Sequence, residues 1–139
     1  MAEIKTTILV IDDMEENIDI ISAKLKHLGY NIEFALDGES GLKKAQELKP
    51  DLILLDIMLP KMDGWQVLEK IRSDERLDKI PCIMMTAYTT IQFQGEREQA
   101  IKKGAADYLK KPFDLNDLAA LVAQYTKSEI KDEAASPGK

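Results

Sequence analysis

The stretch DLILLDIMLPKMDGWQVLEKIR, residues 51–72, decides the fold of this 139-residue chain. It opens with an apolar run closed by Asp56, a pattern typical of a strand buried on both faces. A loop with proline and glycine follows. Trp65, Leu68 and Ile71 then recur at a spacing of three, which marks one face of a helix. The stretch therefore predicts a strand, a loop and a helix, the repeating unit of a parallel sheet.

The same unit of a strand followed by a helix recurs on both sides of this stretch. The other predicted strands are the runs at residues 7–12, 31–35, 81–86 and 107–110. Five such units with right-handed crossovers predict an α/β fold, a doubly wound five-stranded parallel sheet with helices on both faces. We expect residues 1–127 to form this single domain. Residues 128–139 are polar and small, and we predict a disordered tail there.

Composition and charge argue against several classes of function. The formal net charge is −6, whereas a nucleic-acid interface needs a basic face. Cys82 is the single cysteine, so an internal disulfide is excluded, and the single histidine, His27, is better placed at a helix end than in a catalytic group. No signal peptide or membrane-length apolar stretch is recognisable, and we therefore expect a cytoplasmic protein without membrane contact.

Polar side chains stand at the carboxyl ends of four of the five predicted strands. These residues are Asp12 with Asp13, Asp56, Thr86, and Lys110 with Lys111. In a parallel sheet these ends share one edge, where ligands bind at the change in strand order. Three carboxylates crowded at this edge favour a divalent cation, and a shell of oxygen ligands favours Mg²⁺ or Mn²⁺.

Such a group of side chains suits phosphoryl transfer, in which catalysis consists mainly of positioning and charge neutralisation. Asp56 is the candidate nucleophile and would form an aspartyl phosphate. Asp12 and Asp13 would hold the metal. Lys111 and Thr86 would contact the phosphoryl oxygens. Each residue alone has a simpler interpretation, such as a helix N-cap for an acid, so only the joint placement favours the chemistry.

Four stretches, ILVIDDMEEN, DLILLDIMLPKMDGWQVLEKIR, IMMTAY and GAADYLKKPF, resemble the receiver domains of response regulators in two-component signalling. The resemblance covers residues 5–126. It implies a flavodoxin-like sheet in the order 2-1-3-4-5, and a switch that catalyses only its own phosphorylation and dephosphorylation rather than an enzyme with an external substrate. It also implies a histidine kinase or histidine phosphotransfer protein as phosphoryl donor. We expect a stand-alone receiver without a DNA-binding output domain.

The resemblance also implies roles at the acidic positions. Asp56 resembles the phosphoacceptor, which also contacts the metal. Asp13 resembles the direct metal ligand, and Asp12 resembles the acid that acts mostly through water. The backbone carbonyl of Met58, two residues past Asp56, would complete the metal shell.

Further roles follow at the ends of the last two strands. Thr86 resembles the switch hydroxyl and Tyr108 the switch aromatic. Their movement would change the face of helix 4, strand 5 and helix 5, where a downstream partner or a second copy would dock. Lys111 rather than Lys110 matches the family's lysine because it directly precedes Pro112, whose peptide bond is often cis in this family.

Two positions of the resemblance bear on how long the phosphorylated state lasts. The residues two past the phosphoacceptor and two past the switch threonine flank the path of the attacking water. Here they are Met58 and Tyr88. Met58 has no group that could orient a water and Tyr88 is bulky, so we expect slow hydrolysis.

One segment departs from the family's pattern. The chain from Thr86 to Lys111 is longer than the usual spacing, and the extra length falls in residues 88–95. This segment contains Ile91 and Phe93. These two apolar side chains either fold back onto the core or form a partner surface.

Two other classes of function stay open. A phosphatase or phosphotransferase with an Asp nucleophile would need a second acid two residues later, but Met58 stands there after Asp56. A phosphorylation-independent scaffold with the receiver fold usually lacks one of the acids or the lysine, and none is missing here. Incubation with Mg²⁺ and a small phosphodonor, followed by intact mass, would narrow these alternatives most.

Overall fold

The structure of the protein is a computed structural model that describes residues 6–86 and 96–126. In these residues five strands alternate with five helices. The strands are β1 (Thr7–Ile11), β2 (Asn31–Ala35), β3 (Leu52–Asp56), β4 (Cys82–Thr86) and β5 (Asp107–Lys110). The helices are α1 (Glu15–His27), α2 (Gly38–Leu48), α3 (Gly64–Arg72), α4 (Glu96–Lys102) and α5 (Leu115–Thr126). The segment with Tyr88, Ile91 and Phe93 and the tail from residue 128 lie outside the described residues, so what we expect of them stays a prediction.

The five strands form one parallel sheet in the order β2-β1-β3-β4-β5, which confirms the predicted fold class and strand order. Register places Ile11 beside Leu55 and Thr86 beside Lys110. The carboxyl ends of these strands therefore lie level with one another. The order reverses between β1 and β3, and a crevice at this edge is the expected ligand site of such a sheet.

Strand β3 shows why the central strands read as continuous apolar runs. Ile53 and Leu55 belong to a core layer that also contains side chains of α2, α3 and α4. Leu52 and Leu54 point to the opposite layer, which contains side chains of α1 and α5. All four side chains are fully buried, and each contributes roughly 1.5–3 kcal/mol relative to an exposed position. Because helices cover both faces of the sheet, no position of this strand faces solvent, and apolar residues do not alternate with polar ones.

The N-caps of the helices show which acids have a structural role and which remain candidates for function. Asp63 caps α3, since its side chain accepts the Gln66 N–H at 2.9 Å while the Gln66 side chain accepts the Asp63 N–H at 3.0 Å. The N-cap of α1 is Met14, which makes no side-chain cap. Neither the acids that precede α1 nor Asp56 therefore serves as the N-cap of the helix that follows it.

Strand β5 is tied to both of its neighbouring helices through Asp107. One carboxylate oxygen accepts hydrogen bonds from Arg97 Nε of α4 at 2.9 Å and from the Tyr108 N–H at 2.8 Å. The other oxygen accepts the Tyr125 hydroxyl of α5 at 2.9 Å. Asp107 is buried, so these bonds compensate the cost of burying its charge.

Within the described residues, every helix is too short or too polar to cross a membrane.

Candidate functional site

Three carboxylates converge at the carboxyl edge of the sheet. One oxygen each from Asp12, Asp13 and Asp56 lies within 4.8 Å of the others. Asp12 is fully buried, Asp56 is nearly so, and Asp13 is exposed. Carboxylate oxygens at this separation, with one side open to solvent, fit a hard cation such as Mg²⁺ that keeps part of its water shell. The structure thus brings together the three acids that the sequence predicted at this edge.

The backbones of two of these acids are held by extensions of the sheet. The Asp12 N–H donates to the Ala35 carbonyl at 3.1 Å, one residue past β1. The Ile57 N–H donates to the Met85 carbonyl at 2.8 Å, one residue past β3. Because both acids stand on rigid strand ends, their separation is set by sheet geometry rather than by loop conformation.

The structure places Lys111, and not Lys110, between the acids. Its ammonium donates to Asp12 Oδ2 at 2.8 Å and to Asp56 Oδ2 at 3.1 Å. The Lys111 N–H donates to the Thr86 carbonyl at 2.6 Å, and the Lys111–Pro112 peptide bond is cis. Lys110 is exposed.

The buried, negatively charged carboxylates of Asp12 and Asp56 make this site favour a bound cation. Burial raises the pKa of the Asp56 carboxyl and the charge of Asp12 raises it further, although the Met58 N–H and Lys111 oppose this. For Lys111, burial alone would lower the pKa of the ammonium. The hydrogen bond to Asp12 and the charge of Asp56 outweigh burial, so that the pKa of Lys111 is raised. One ammonium is shared by two carboxylates, and a divalent cation would complete the neutralisation.

A cleft of about 650 Å³ opens beside the acids. Its lining includes Asp13, Met58, Thr86, Tyr108, Trp65 and Gln99. Thr86 is buried, Tyr108 is half-buried and Met58 is 57% exposed. The two candidate switch residues therefore line the same cleft as an acid of the cluster. Tyr88 lies outside the described residues.

Two groups that orient Asp12 were not predicted from the sequence. The Met14 N–H donates to Asp12 Oδ1 at 2.9 Å, and Asn17 Nδ2 donates to Asp12 Oδ2 at 3.3 Å. Asn17 lies in the first turns of α1. Asn17 stands five residues after Asp12 on a helix that begins beside this acid, and this spacing could have indicated the contact.

Comparison with known proteins places this geometry in a family. Residues 8–123 match the response regulator receiver domain. The DNA-binding dual master transcriptional regulator RpaA from Synechocystis sp. is 45% identical over 115 residues, which cover 83% of this chain and 46% of that protein. The alkaline phosphatase synthesis transcriptional regulatory protein PhoP from Bacillus subtilis is 40% identical over 88% of this chain and 50% of its own length. The chain thus spans half or less of the length of these curated relatives.

Solved structures agree with this match. The receiver domain of the sensor histidine kinase PA1611 from Pseudomonas aeruginosa, which has a magnesium ion coordinated in its active site cleft, aligns with a TM-score of 0.78 and 33% identity. The alignment covers 90% of this chain and 100% of that one. The chemotaxis protein CheY4 from Vibrio cholerae aligns with a TM-score of 0.79 and 27% identity, over 88% of this chain and 99% of that one. This chain belongs to the response regulator receiver domain family of two-component systems.

Proposed function

We propose that this receiver domain accepts a phosphoryl group on Asp56 from a histidine kinase or a histidine phosphotransfer protein. The observation that carries the proposal is the Lys111 ammonium, which contacts both Asp12 and Asp56 beside a third acid. A nucleophilic carboxylate, a cation and a set of metal ligands at one edge are the parts that phosphoryl transfer needs.

The metal in this proposal is Mg²⁺. Asp12, Asp13, Asp56 and the backbone carbonyl of Met58 would hold it, and the magnesium in the related PA1611 receiver favours it over Mn²⁺. When bound, the cation would neutralise charge on the phosphoryl oxygens and on Asp56.

The residues of this chain prepare Asp56 for attack by fixing its carboxylate from two sides. The Met58 N–H donates to Oδ1 at 2.9 Å, and Lys111 donates to Oδ2. One oxygen of Asp56 would form a bond to phosphorus while the bond from phosphorus to the donor's imidazole nitrogen breaks, which leaves an aspartyl phosphate. Lys111 and Thr86 would then contact the phosphoryl oxygens, where positive charge and a hydrogen-bond donor stabilise the transferring group.

Intact mass spectrometry after incubation with acetyl phosphate and Mg²⁺ tests the proposal. The expected product carries one phosphoryl group per chain, and chelation of Mg²⁺ should prevent its formation. If the mass is unchanged both with Mg²⁺ and after its chelation, a phosphorylation-independent scaffold would be the better interpretation.

We further propose that phosphorylation changes the face formed by α4, β5 and α5. A phosphoryl group on Asp56 would draw the Thr86 hydroxyl toward it, and Tyr108, which lines the same cleft, would turn into the space released. This is a local charge event that biases an element with two arrangements. A structure with a phosphoryl mimic should show both side chains displaced, and a partner or a second copy would dock on the altered face. Unmoved side chains would exclude the coupling.

Slow loss of the phosphoryl group is a further expected property. The Met58 side chain is exposed at the cleft and offers no polar group to align a water for in-line attack. Replacement by Met58→Asn together with Tyr88→Glu should supply such groups and accelerate decay by about tenfold, which corresponds to ~1.4 kcal/mol of barrier. The phosphorylated proteins can be followed by mass spectrometry after removal of the donor.

Met14→Asn is the matched control for this measurement, since Met14 is another exposed methionine beside the acids. It should decay at the wild-type rate. Decay of the double variant at or below the wild-type rate would show that these positions do not govern hydrolysis.

A further inference from the structure

Gly64, the first residue of α3, packs directly against the backbone of the candidate phosphoacceptor. A Cβ atom at this position would lie 2.4 Å from the Asp56 carbonyl oxygen and 2.6 Å from Ile57 Cα. Asp56 is the last residue of β3 and the Ile57 N–H donates to the Met85 carbonyl, so these main-chain atoms cannot rotate away as the end of a side chain can. Any side chain at residue 64 must therefore push the start of α3 away from the end of β3.

This contact differs from those of the other described glycines. At Gly41 a Cβ would meet only the Ile11 side chain, and at Gly29 it would meet nothing within 4 Å. At Gly38 the nearest atom belongs to the Val67 side chain, and at Gly104 all near atoms belong to the Arg72 side chain. Among the glycines that the structure describes, Gly64 alone meets only main-chain atoms.

Hydrogen bonds join this contact to the site. The Ile57 carbonyl accepts the Gly64 N–H at 2.8 Å and the Leu59 N–H at 3.1 Å. Met58 lies between Ile57 and Leu59 in the chain, and its N–H donates to Asp56 Oδ1 at 2.9 Å. The chain after β3 is thus folded back on Ile57, and the Met58 peptide is held against the carboxylate.

The start of α3 is itself fixed. The reciprocal bonds between Asp63 and Gln66 form a capping box at 2.9 and 3.0 Å. Helix α3 is therefore a fixed support that begins at Gly64, and the absence of a side chain at Gly64 sets its distance from Asp56.

We propose that Gly64 is a positioning residue for phosphorylation: its lack of a side chain lets α3 close onto the Asp56–Ile57 backbone, and this closure holds the Met58 peptide in place. The inference rests on the proposed function, because the Met58 carbonyl is a ligand of the proposed Mg²⁺ and the Met58 N–H orients Asp56. A Cβ at residue 64 would need a displacement of about 1 Å, and a misplacement of that size costs about 100-fold in rate.

The test compares Gly64→Ala with the wild-type protein in three measurements. We expect Mg²⁺ to bind about tenfold more weakly and phosphorylation by acetyl phosphate to slow by about 100-fold. We also expect the Met58 amide to exchange its hydrogen faster in the absence of metal, as observed by NMR, because its bond to Asp56 is lost.

Gly29→Ala is the matched control. Gly29 has a φ of +102° and open space around it, so alanine there strains the backbone at the end of α1 without touching the site. This variant should lose stability and keep the wild-type Mg²⁺ affinity and Met58 exchange rate. The contrast separates positioning from a general loss of stability.

If Gly64→Ala does not fold, a second pair of variants loosens the same support without adding an atom. Asp63→Ala removes the cap and should weaken Mg²⁺ binding and speed Met58 exchange. Asp63→Asn keeps a capping oxygen and should behave like the wild type.

The outcomes for the two proposals are distinct. A wild-type protein that binds Mg²⁺ but gains no phosphoryl group refutes the proposed function, whereas faster Met58 exchange in Gly64→Ala still supports the positioning contact. Wild-type Mg²⁺ affinity and Met58 exchange in Gly64→Ala, or in Asp63→Ala where the first variant does not fold, would overturn the inference.

Discussion

Asp56→Asn should abolish phosphorylation and leave the fold intact. The amide has nearly the shape of the carboxylate, and its oxygen can still accept the Met58 N–H that now reaches Oδ1 at 2.9 Å. Its nitrogen, however, is a donor that faces the ammonium of Lys111, and an amide is a poor nucleophile toward phosphorus. Intact mass after incubation with acetyl phosphate and Mg²⁺ should show no added phosphoryl group.

Asp51→Asn is the matched control for this result. Asp51 is an exposed acid directly before the same strand, where its carboxylate accepts the Thr7 N–H at 2.8 Å. This variant should be labelled to the wild-type level. Stoichiometric labelling of Asp56→Asn would show that the phosphoacceptor lies elsewhere.

The same variant has a pH-dependent effect on stability. Burial raises the pKa of Asp56, so the folded state holds this proton more tightly than the unfolded state, and ionisation at higher pH costs stability. Asparagine does not ionise. In the absence of metal, Asp56→Asn should therefore be at least as stable as the wild type at neutral pH. That advantage should disappear as the pH falls toward the unfolded pKa of about 3.9, which urea unfolding at several pH values can measure.

Lys111→Met should destabilise the fold in the absence of metal and make it depend on Mg²⁺. The lost ammonium leaves Asp12, which is fully buried, and Asp56 without their shared cation. Removal of one partner of a buried ion pair costs roughly 3–5 kcal/mol. Mg²⁺ should restore most of this stability, because a ligand that binds only the folded state adds RT ln(1 + [L]/Kd).

The expected measurement is the midpoint of thermal unfolding with and without Mg²⁺. Without Mg²⁺, the midpoint of Lys111→Met should be lower than that of the wild type. Addition of Mg²⁺ should raise the midpoint of the variant by more than it raises that of the wild type. Its deficit should also shrink in acid, since protonation of Asp56 removes the repulsion from Asp12. Lys110→Met, at the exposed neighbour, should match the wild type in both conditions. Equal shifts in the two lysine variants would contradict the role of Lys111.

The secondary structure was accessible from sequence because its causes are local. The run LILLD is apolar throughout because β3 is covered on both faces, and the structure ends this strand at Asp56 as predicted. The neighbouring strand β1 ends at Ile11 rather than at Asp12, and Asp12 continues the sheet only through the bond from its N–H to the Ala35 carbonyl.

The site was accessible in part, through equivalent positions at strand ends. These positions predict that Asp12, Asp13, Asp56 and Lys111 meet at one edge. They do not predict the contact of Asn17 with Asp12, nor the hydrogen bonds from Arg97 and Tyr125 to the buried acid at the start of β5. These hydrogen bonds join side chains of different helices and strands, so no sequence pattern within one element indicates them.

The sequence by itself determined which segments become strands and helices, their parallel arrangement, and which side chains stand at the carboxyl ends. Apolar runs and helical spacing act over a few residues, so the sequence displays them directly. Only the tertiary structure decided the contacts between these ends. Lys111 and Asp12 are 99 residues apart in the chain, and their distance depends on sheet register and the turn at Pro112. Gly64 likewise reads as an ordinary loop glycine until α3 closes on Asp56, because a close approach exists only between two elements that have already packed.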